Sequence, residues 1–130
     1  MLEMKPEFEK IPESETSSFH LLKIEQKHFD GVWHYHPEAE LTWIESGEGI
    51  RCIGENMHSF NSNDLVLIGP KVPHFWDSKD FKRPNHSQGA KQSKAISIQW
   101  HLEKVLGKSD QWPEFLAIRK FINKPFAYSY

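Results

Sequence analysis

From residue 19 onward the chain alternates short apolar runs with polar, turn-rich breaks. Residues 19–29 (FHLLKIEQKHF) predict a strand or a bent pair of strands, closed by a turn at Asp30-Gly31. Residues 32–45 are rich in Trp, Tyr, Thr and Ile and predict one long strand. Ser46-Gly47-Glu48-Gly49 is a tight turn, and residues 50–53 read as its return strand, so the pair predicts a hairpin. Residues 57–60, 65–68 and 95–100 read as further strands, and another starts at His74. Turns at 54–56 and 61–64 and the rigid loop Gly69-Pro70-Lys71-Val72-Pro73 separate them. Short strands at regular spacing predict a sandwich or barrel, and a count of about eight suits a jelly roll.

The flanks have a different texture. Residues 1–18 are polar and rich in Glu and Ser, with only Phe8 and Ile11 as packing candidates, and read as an arm with at most one short strand. Residues 77–94 carry Lys79, Lys82, Arg83, Lys91 and Lys94, but no interleaved aromatics, so a solvated loop is favoured over a nucleic-acid patch. Past residue 100 the pattern becomes helical: Pro113-Glu114 opens a segment in which Phe115, Ile118 and Ile122 fall on one face, widened by Leu116 and Phe121. That face predicts a helix packed on the barrel, with a dimer interface as the less frequent alternative. The expected organisation is an N-terminal arm (1–18), a barrel (19–100) and a C-terminal helical segment (101–130).

Composition narrows the classes. Apolar residues are only 38%, so the five Trp and nine Phe must supply much of the buried surface. A net charge of −2 gives no global attraction to nucleic acid or to an anionic membrane. Cys52 is the one cysteine, which excludes an intramolecular disulfide and fits a reducing compartment. The N-terminus has no apolar leader core, and no stretch approaches the roughly 20 apolar residues of a membrane span. A soluble, cytoplasmic protein is expected.

Candidate chemistry concentrates in His34-Tyr35-His36-Pro37-Glu38-Ala39-Glu40. On a regular strand His34, His36, Glu38, Glu40 and Thr42 share one face, and Trp33, Tyr35, Ala39, Leu41 and Trp43 the other, although Pro37 can bend the strand and break that parity. Imidazoles two residues apart lie roughly 6.5–7 Å apart at Cα, within reach of a common ion. Glu40 can add a carboxylate, and His74, held by Pro73, a third imidazole from another strand. Three nitrogens and one oxygen without sulfur suit Zn, Mn, Fe, Ni or Cu and leave positions open for a ligand. Two hydrogen-bonded histidines in a polar pocket would give the same spacing in a chain with eight histidines.

Longer spacing adds a family signal. His34-x-His36-x3-Glu40-x6-Gly47 resembles the first motif of the cupins, although Gly31 lies too close to be that motif's usual opening glycine. The second motif is degraded: its Gly, Pro and Gly positions look like Asn63, Gly69 and Lys71, its final Asn position is Ser78, and His74 is retained. More specifically, WHYHPEAELTWIESGEG, NDLVLIGPKVPHFW, AISIQW and the segment PEFLAIRKFI are similar to the N-terminal domain of AraC-family transcription regulators, over roughly residues 6–126.

The resemblance implies an all-β cupin fold, a double-stranded β-helix or jelly-roll barrel with a short C-terminal helical segment. It implies an effector-sensing domain that binds a small metabolite, such as a sugar, and forms a homodimer. DNA would be contacted only through a C-terminal domain, for which the roughly thirty residues after the last strand are too few. The chain would then be part of a longer regulator or a stand-alone relative. The expected metal ligands are His34, His36, Glu40 and His74, holding a divalent transition metal (Zn, Ni, Mn or Fe). The same four residues with Tyr35 and Trp43 form the candidate ligand-binding set, though packing is the commoner role for those two aromatics and for Trp33, Trp76 and Trp100. The alternative is a stand-alone metal-dependent cupin enzyme, a dioxygenase or isomerase. Glu38 is expected to face solvent, and Cys52 to be a small buried hydrophobe. His20, His28, His58, His86 and His101 receive no role.

Overall fold

The computed structural model describes residues 4–78, 92–106, 112–122 and 128–129. Within them the chain forms β1 (Glu7–Phe8), β2 (His20–Gln26), β3 (His34–Tyr35), β4 (Ala39–Ser46), β5 (Gly49–Ile53), β6 (Asn56–Phe60), β7 (Leu65–Ile68), β8 (His74–Asp77) and β9 (Ser93–Trp100). Helices α1 (Leu102–Leu106) and α2 (Pro113–Ile122) follow, and β10 (Tyr128–Ser129) is the last described element. Of the basic loop read over residues 77–94, residues 79–91 lie outside the described residues, while Asp77 ends β8 and Ser93 and Lys94 open β9. No described helix is long and apolar enough to cross a membrane.

Two five-stranded sheets result, ordered β1-β3-β8-β5-β6 and β10-β7-β4-β9-β2. From β2 to β5 the chain changes sheet at every step, and it does so again from β6 to β9. All pairings among these eight strands are antiparallel. This is the winding of an eight-stranded jelly roll, the architecture of cupins. The expected all-β cupin barrel with a short C-terminal helical segment is therefore observed.

Two local expectations are corrected. The single strand expected over residues 32–45 is broken into β3 and β4, which lie in different sheets. The break falls at Pro37, which has no N–H to give to a ladder, and the His36 carbonyl there accepts from Lys71 N at 2.9 Å. The expected hairpin of β4 with β5 is also absent. β4 pairs with β7 and β9, whereas β5 pairs with β6 and β8. Gly47 and Gly49, with φ of 139° and 158°, carry the chain from one sheet to the other. Gly49 passes so close to β8 that a Cβ would collide with the Asp77 carbonyl oxygen.

The inward faces set up the site. Glu40, Thr42 and Ile44 of β4 and Ser93, Ala95, Ser97 and Gln99 of β9 are buried. Phe29, Ile44, Phe60 and Ala95 form one apolar cluster, and Ile53, Val66 and Ile68 another; Trp76 packs against both. The remaining inward surface is polar. Outside, Ala39 and Leu102 pack with Leu67, Trp100, Phe115 and Phe121, so the helices cover part of the second sheet. The helix face that packs is thus Phe115 with Phe121, while Leu116 and Ile118 stay exposed; the Ile122 side chain lies outside the described residues.

The degraded motif positions have a backbone explanation. Asn63 (φ 74°) and Lys71 (φ 65°) are the non-glycine residues with positive φ among those described. They occupy the two positions where the second cupin motif usually has glycine. The left-handed backbone is retained without glycine, at a cost of roughly 1–2 kcal/mol for a residue such as Lys71. Lys71→Gly should therefore stabilise the protein by up to about 1 kcal/mol after the flexibility of glycine in the unfolded chain is counted. Gly49→Ala should destabilise it by roughly 2 kcal/mol or more. Urea unfolding of both variants beside the parent checks both signs.

Candidate functional site

The antiparallel pairing of β3 with β8 places His34 directly opposite His74, with ring centroids 4.3 Å apart. His36 follows β3 at the Pro37 break, and its ring centroid lies 5.0 Å from that of His74 and 6.0 Å from that of His34. One ring nitrogen from each of the three lies within 4.8 Å of the others. His36 and His74 are buried, and His34 is half-buried.

Backbone carbonyls orient all three rings. His34 Nδ1 donates to Val32 O at 2.7 Å, His74 Nδ1 to Val72 O at 2.8 Å and His36 Nδ1 to Glu38 O at 3.1 Å. Such contacts hold the Nδ1 proton and leave the Nε2 lone pair for a ligand. His74 Nε2 is buried without a hydrogen-bond partner.

Glu40 approaches from β4 in the other sheet. Its Oε1 lies 3.2 Å from His36 Nε2 and accepts from Gln99 Nε2 at 2.8 Å. Its Oε2 accepts from Thr42 Oγ1 at 2.8 Å and lies 3.5 Å from His74 Nε2. Thr42 in turn meets the Ser97 hydroxyl on β9 in a very short contact. Burial pushes the Glu40 carboxyl up, but His36, His74 and Gln99 around it outweigh burial and hold it well below the usual carboxylate range. Burial likewise opposes charge on His36, and there the contacts with Glu40 and Glu38 win and raise its pKa. Burial and the adjacent His74 lower that of His34.

The cluster borders a cavity of about 590 Å³ between the sheets. His34, Glu40, Thr42, Ser97 and Gln99 form its polar wall, and Ile24, Phe29, Ile44, Trp76 and Ala95 its apolar one. Glu7, Phe8 and Glu9 of the N-terminal strand also line it. A cavity of this size, with an apolar floor and many polar and charged side chains around it, among them Lys23, Glu25, Gln26 and Asp30, suits a small polar organic ligand.

The four expected metal ligands are thus brought together. Their parity along one strand is not the reason, because His34, His36 and Glu40 do not share a strand. Tyr35 and Trp43 do not line the cavity. Tyr35 packs edge-on against Phe8 with ring centroids 5.7 Å apart, and Trp43 is exposed. Glu38 corrects an expectation: it is buried, 5% exposed, because His101 Nε2 sits 3.1 Å from its Oε1 and His36 Nδ1 3.5 Å from its Oε2. His101, which had no assigned role, also meets Glu13 of the arm at 3.4 Å. Cys52 is half-buried, with burial raising its thiol pKa, and its Sγ faces the Gly54 carbonyl at 3.6 Å.

Ser97 and Gln99 were missed at the sequence level. Their signal was the alternation in AISIQW, where polar residues interleave with Ile96, Ile98 and Trp100. Glu9 carried no comparable signal.

Three imidazoles and a carboxylate thus converge inside the jelly roll. The donors fit a divalent transition metal, since their free nitrogens converge, the donor set is nitrogen and oxygen, and His74 Nε2 is otherwise orphaned. No protein-family model matches the chain, and no curated protein sequence does. Among solved structures it is similar to a Cupin 2 conserved barrel domain protein from Salinispora arenicola, at 15% identity over 83% of this chain and 79% of that one, with a TM-score of 0.49. It is also similar to the oxalate decarboxylase of Lactobacillus farciminis, at 11% identity over 82% of this chain and 32% of that one, with a TM-score of 0.46. A third likeness is to ToxT from Vibrio cholerae, at 11% identity over 83% and 48%, with a TM-score of 0.43.

A carboxyl whose pKa is depressed by folding stabilises the protein above its unfolded value and loses that contribution as pH falls through the folded value. Metal-free parent protein should therefore lose stability on acidification below about 4.5, the ordinary value for Glu40. Glu40→Gln should cost roughly 2–4 kcal/mol at neutral pH and show a flatter acid limb. Urea midpoints measured with a chelator present from pH 7 to pH 3 test this; equal acid slopes would refute it.

Proposed function

We propose that this chain is the effector-sensing and dimerisation domain of an AraC-type transcription regulator, binding a small metabolite such as a sugar in its barrel. The AraC-like segments support this reading, and one structural observation carries it. The N-terminal strand β1 lies at the barrel cavity and contributes Glu7, Phe8 and Glu9 to its wall. A ligand there contacts the arm directly. Ligand affinity then differs between arm-docked and arm-released states, which is what shifts a two-state regulator.

The ligand is held by the polar wall of His34, Glu40, Thr42, Ser97 and Gln99, with His36 and His74 behind it, not on the cavity surface. Tyr35 and Trp43 are left out of the contact set because they do not border the cavity. A divalent ion on His34, His36, His74 and Glu40 would supply Lewis-acid polarisation of a ligand oxygen. The protein's own residues orient the site: Gln99 and Thr42 fix the Glu40 carboxylate, and the three backbone carbonyls fix the imidazoles. Val105, Trp112, Leu116 and Ile118 are apolar and exposed in the helical segment, a surface available to a second copy. DNA contact belongs to a domain beyond these residues.

A second reading, a metal-dependent cupin enzyme, is favoured by the completeness of the three-nitrogen, one-oxygen donor set. The two separate experimentally. Under the sensor reading, Trp fluorescence reports saturable binding of a metabolite without turnover. Deleting residues 1–18 then changes effector affinity about tenfold or alters dimerisation, a coupling of roughly 1.4 kcal/mol. Unchanged affinity and unchanged dimerisation would remove the arm from the account. A stoichiometric redox metal, lost in His36→Ala together with turnover, would replace the sensor by the enzyme.

A further inference from the structure

Strand β1 runs parallel to β3, with Glu7 opposite His34 and Phe8 opposite Tyr35. Glu7 N donates to Trp33 O and Glu9 N to Tyr35 O, both at 2.9 Å. Side chains alternate along a strand. Phe8 packs on Tyr35, and Glu7, opposite His34, and Glu9, one pleat further on, share the other parity; all three border the cavity. Glu9 Oε2 lies 3.3 Å from His34 Nε2.

That contact needs a positive charge between the two atoms, either a proton on Nε2 or a metal ion. His34 Nδ1 holds its proton against Val32 O, so Nε2 of the neutral ring is a lone pair facing a carboxylate oxygen. The same juxtaposition recurs at Glu40, whose oxygens lie 3.2 Å from His36 Nε2 and 3.5 Å from the orphaned His74 Nε2. Each of the three imidazole Nε2 atoms thus faces a carboxylate oxygen, from Glu9 or from Glu40, while Glu38 lies behind the cluster at His36 Nδ1 and is shared with His101. Charge makes Glu9 useful. Three neutral imidazoles and Glu40 leave a divalent ion with one uncompensated positive charge in a partly desolvated site, and a further carboxylate cancels it.

We infer that Glu9 belongs to the metal site, so that loading the site with a divalent cation fastens the N-terminal strand over the cavity. The inference rests on the metal reading of the histidine cluster. It makes metal occupancy and arm docking one equilibrium, each strengthening the other by the same factor.

The test uses the full 130-residue chain. Ni2+ is the probe, because nitrogen and oxygen sites bind it more tightly than Mn2+ or Fe2+. Affinity is measured by competition with a chromophoric chelator, and arm docking by hydrogen exchange of the Glu7 and Glu9 amides with and without Ni2+. The parent, Glu9→Gln and the arm control Glu15→Gln are compared, with circular dichroism confirming equal folding. The inference expects Glu9→Gln to weaken Ni2+ binding about tenfold and to abolish the Ni2+-dependent protection of the arm, with Glu15→Gln unchanged in both. Parent-like affinity and protection in Glu9→Gln would overturn it while leaving the four-residue metal site standing. A parent protein that binds no Ni2+ would overturn the metal reading, and the inference with it.

Discussion

The Glu40 carboxylate is the constraint around which the barrel interior is arranged. It is 3% exposed, and its partners are imidazoles, an amide and a hydroxyl rather than an ammonium or guanidinium group. Burying an ionised carboxylate is tolerable only when its oxygens are hydrogen-bonded and its charge is met. Gln99 and Thr42 do the first. His36 and His74 do the second, by carrying a proton or by sharing a cation. Removing Glu40 would leave Gln99 Nε2 and the histidine nitrogens facing an apolar gap, so the polar wall stands or falls as one network.

The jelly-roll winding is what assembles that network from distant positions. His34 and His74 meet because β3 pairs with β8, and Gln99 and Ser97 reach Glu40 and Thr42 because β4 pairs with β9 in register. The Pro37 break moves the chain from one sheet to the other between His36 and Glu40, so the two sheets contribute opposite sides of one cluster. On the far side, Glu38 and His101 link the base of His36 to Glu13 of the arm and, through it, to Lys104 of α1. The arm therefore reaches the cluster by two routes, directly at Glu9 and from Glu13 through His101 and Glu38.

Much of this was legible in the amino-acid sequence, for identifiable reasons. Turn residues and β-branched runs marked most strand boundaries, the His34–Gly47 spacing pointed to the fold and to three of the clustered residues, and the His74 retained in the second motif supplied the fourth. The route to those four was wrong in detail, because alternation along a strand cannot foresee a proline that ends it. The β4–β5 hairpin failed for a related reason: a Gly-rich turn signals reversal, but not whether the returning strand pairs locally or crosses to the opposite sheet. Glu38 was misplaced because a charged residue beside proline reads as exposed, and its partner His101 is 63 positions away in sequence, visible only in three dimensions. Asn63 and Lys71 looked like losses from a motif, yet their positive φ values show that the backbone conformation was kept.

The central claim is that the three imidazoles and Glu40 form a cation site built into the barrel. Anomalous diffraction at the Ni absorption edge, from crystals grown with stoichiometric Ni2+, tests it most directly. The account predicts one dominant peak, at about 2.0–2.2 Å from a nitrogen of each of His34, His36 and His74 and from an oxygen of Glu40. A cluster without a peak, its histidines hydrogen-bonded to Glu40 and to water while Ni2+ sits elsewhere on the surface, would contradict it.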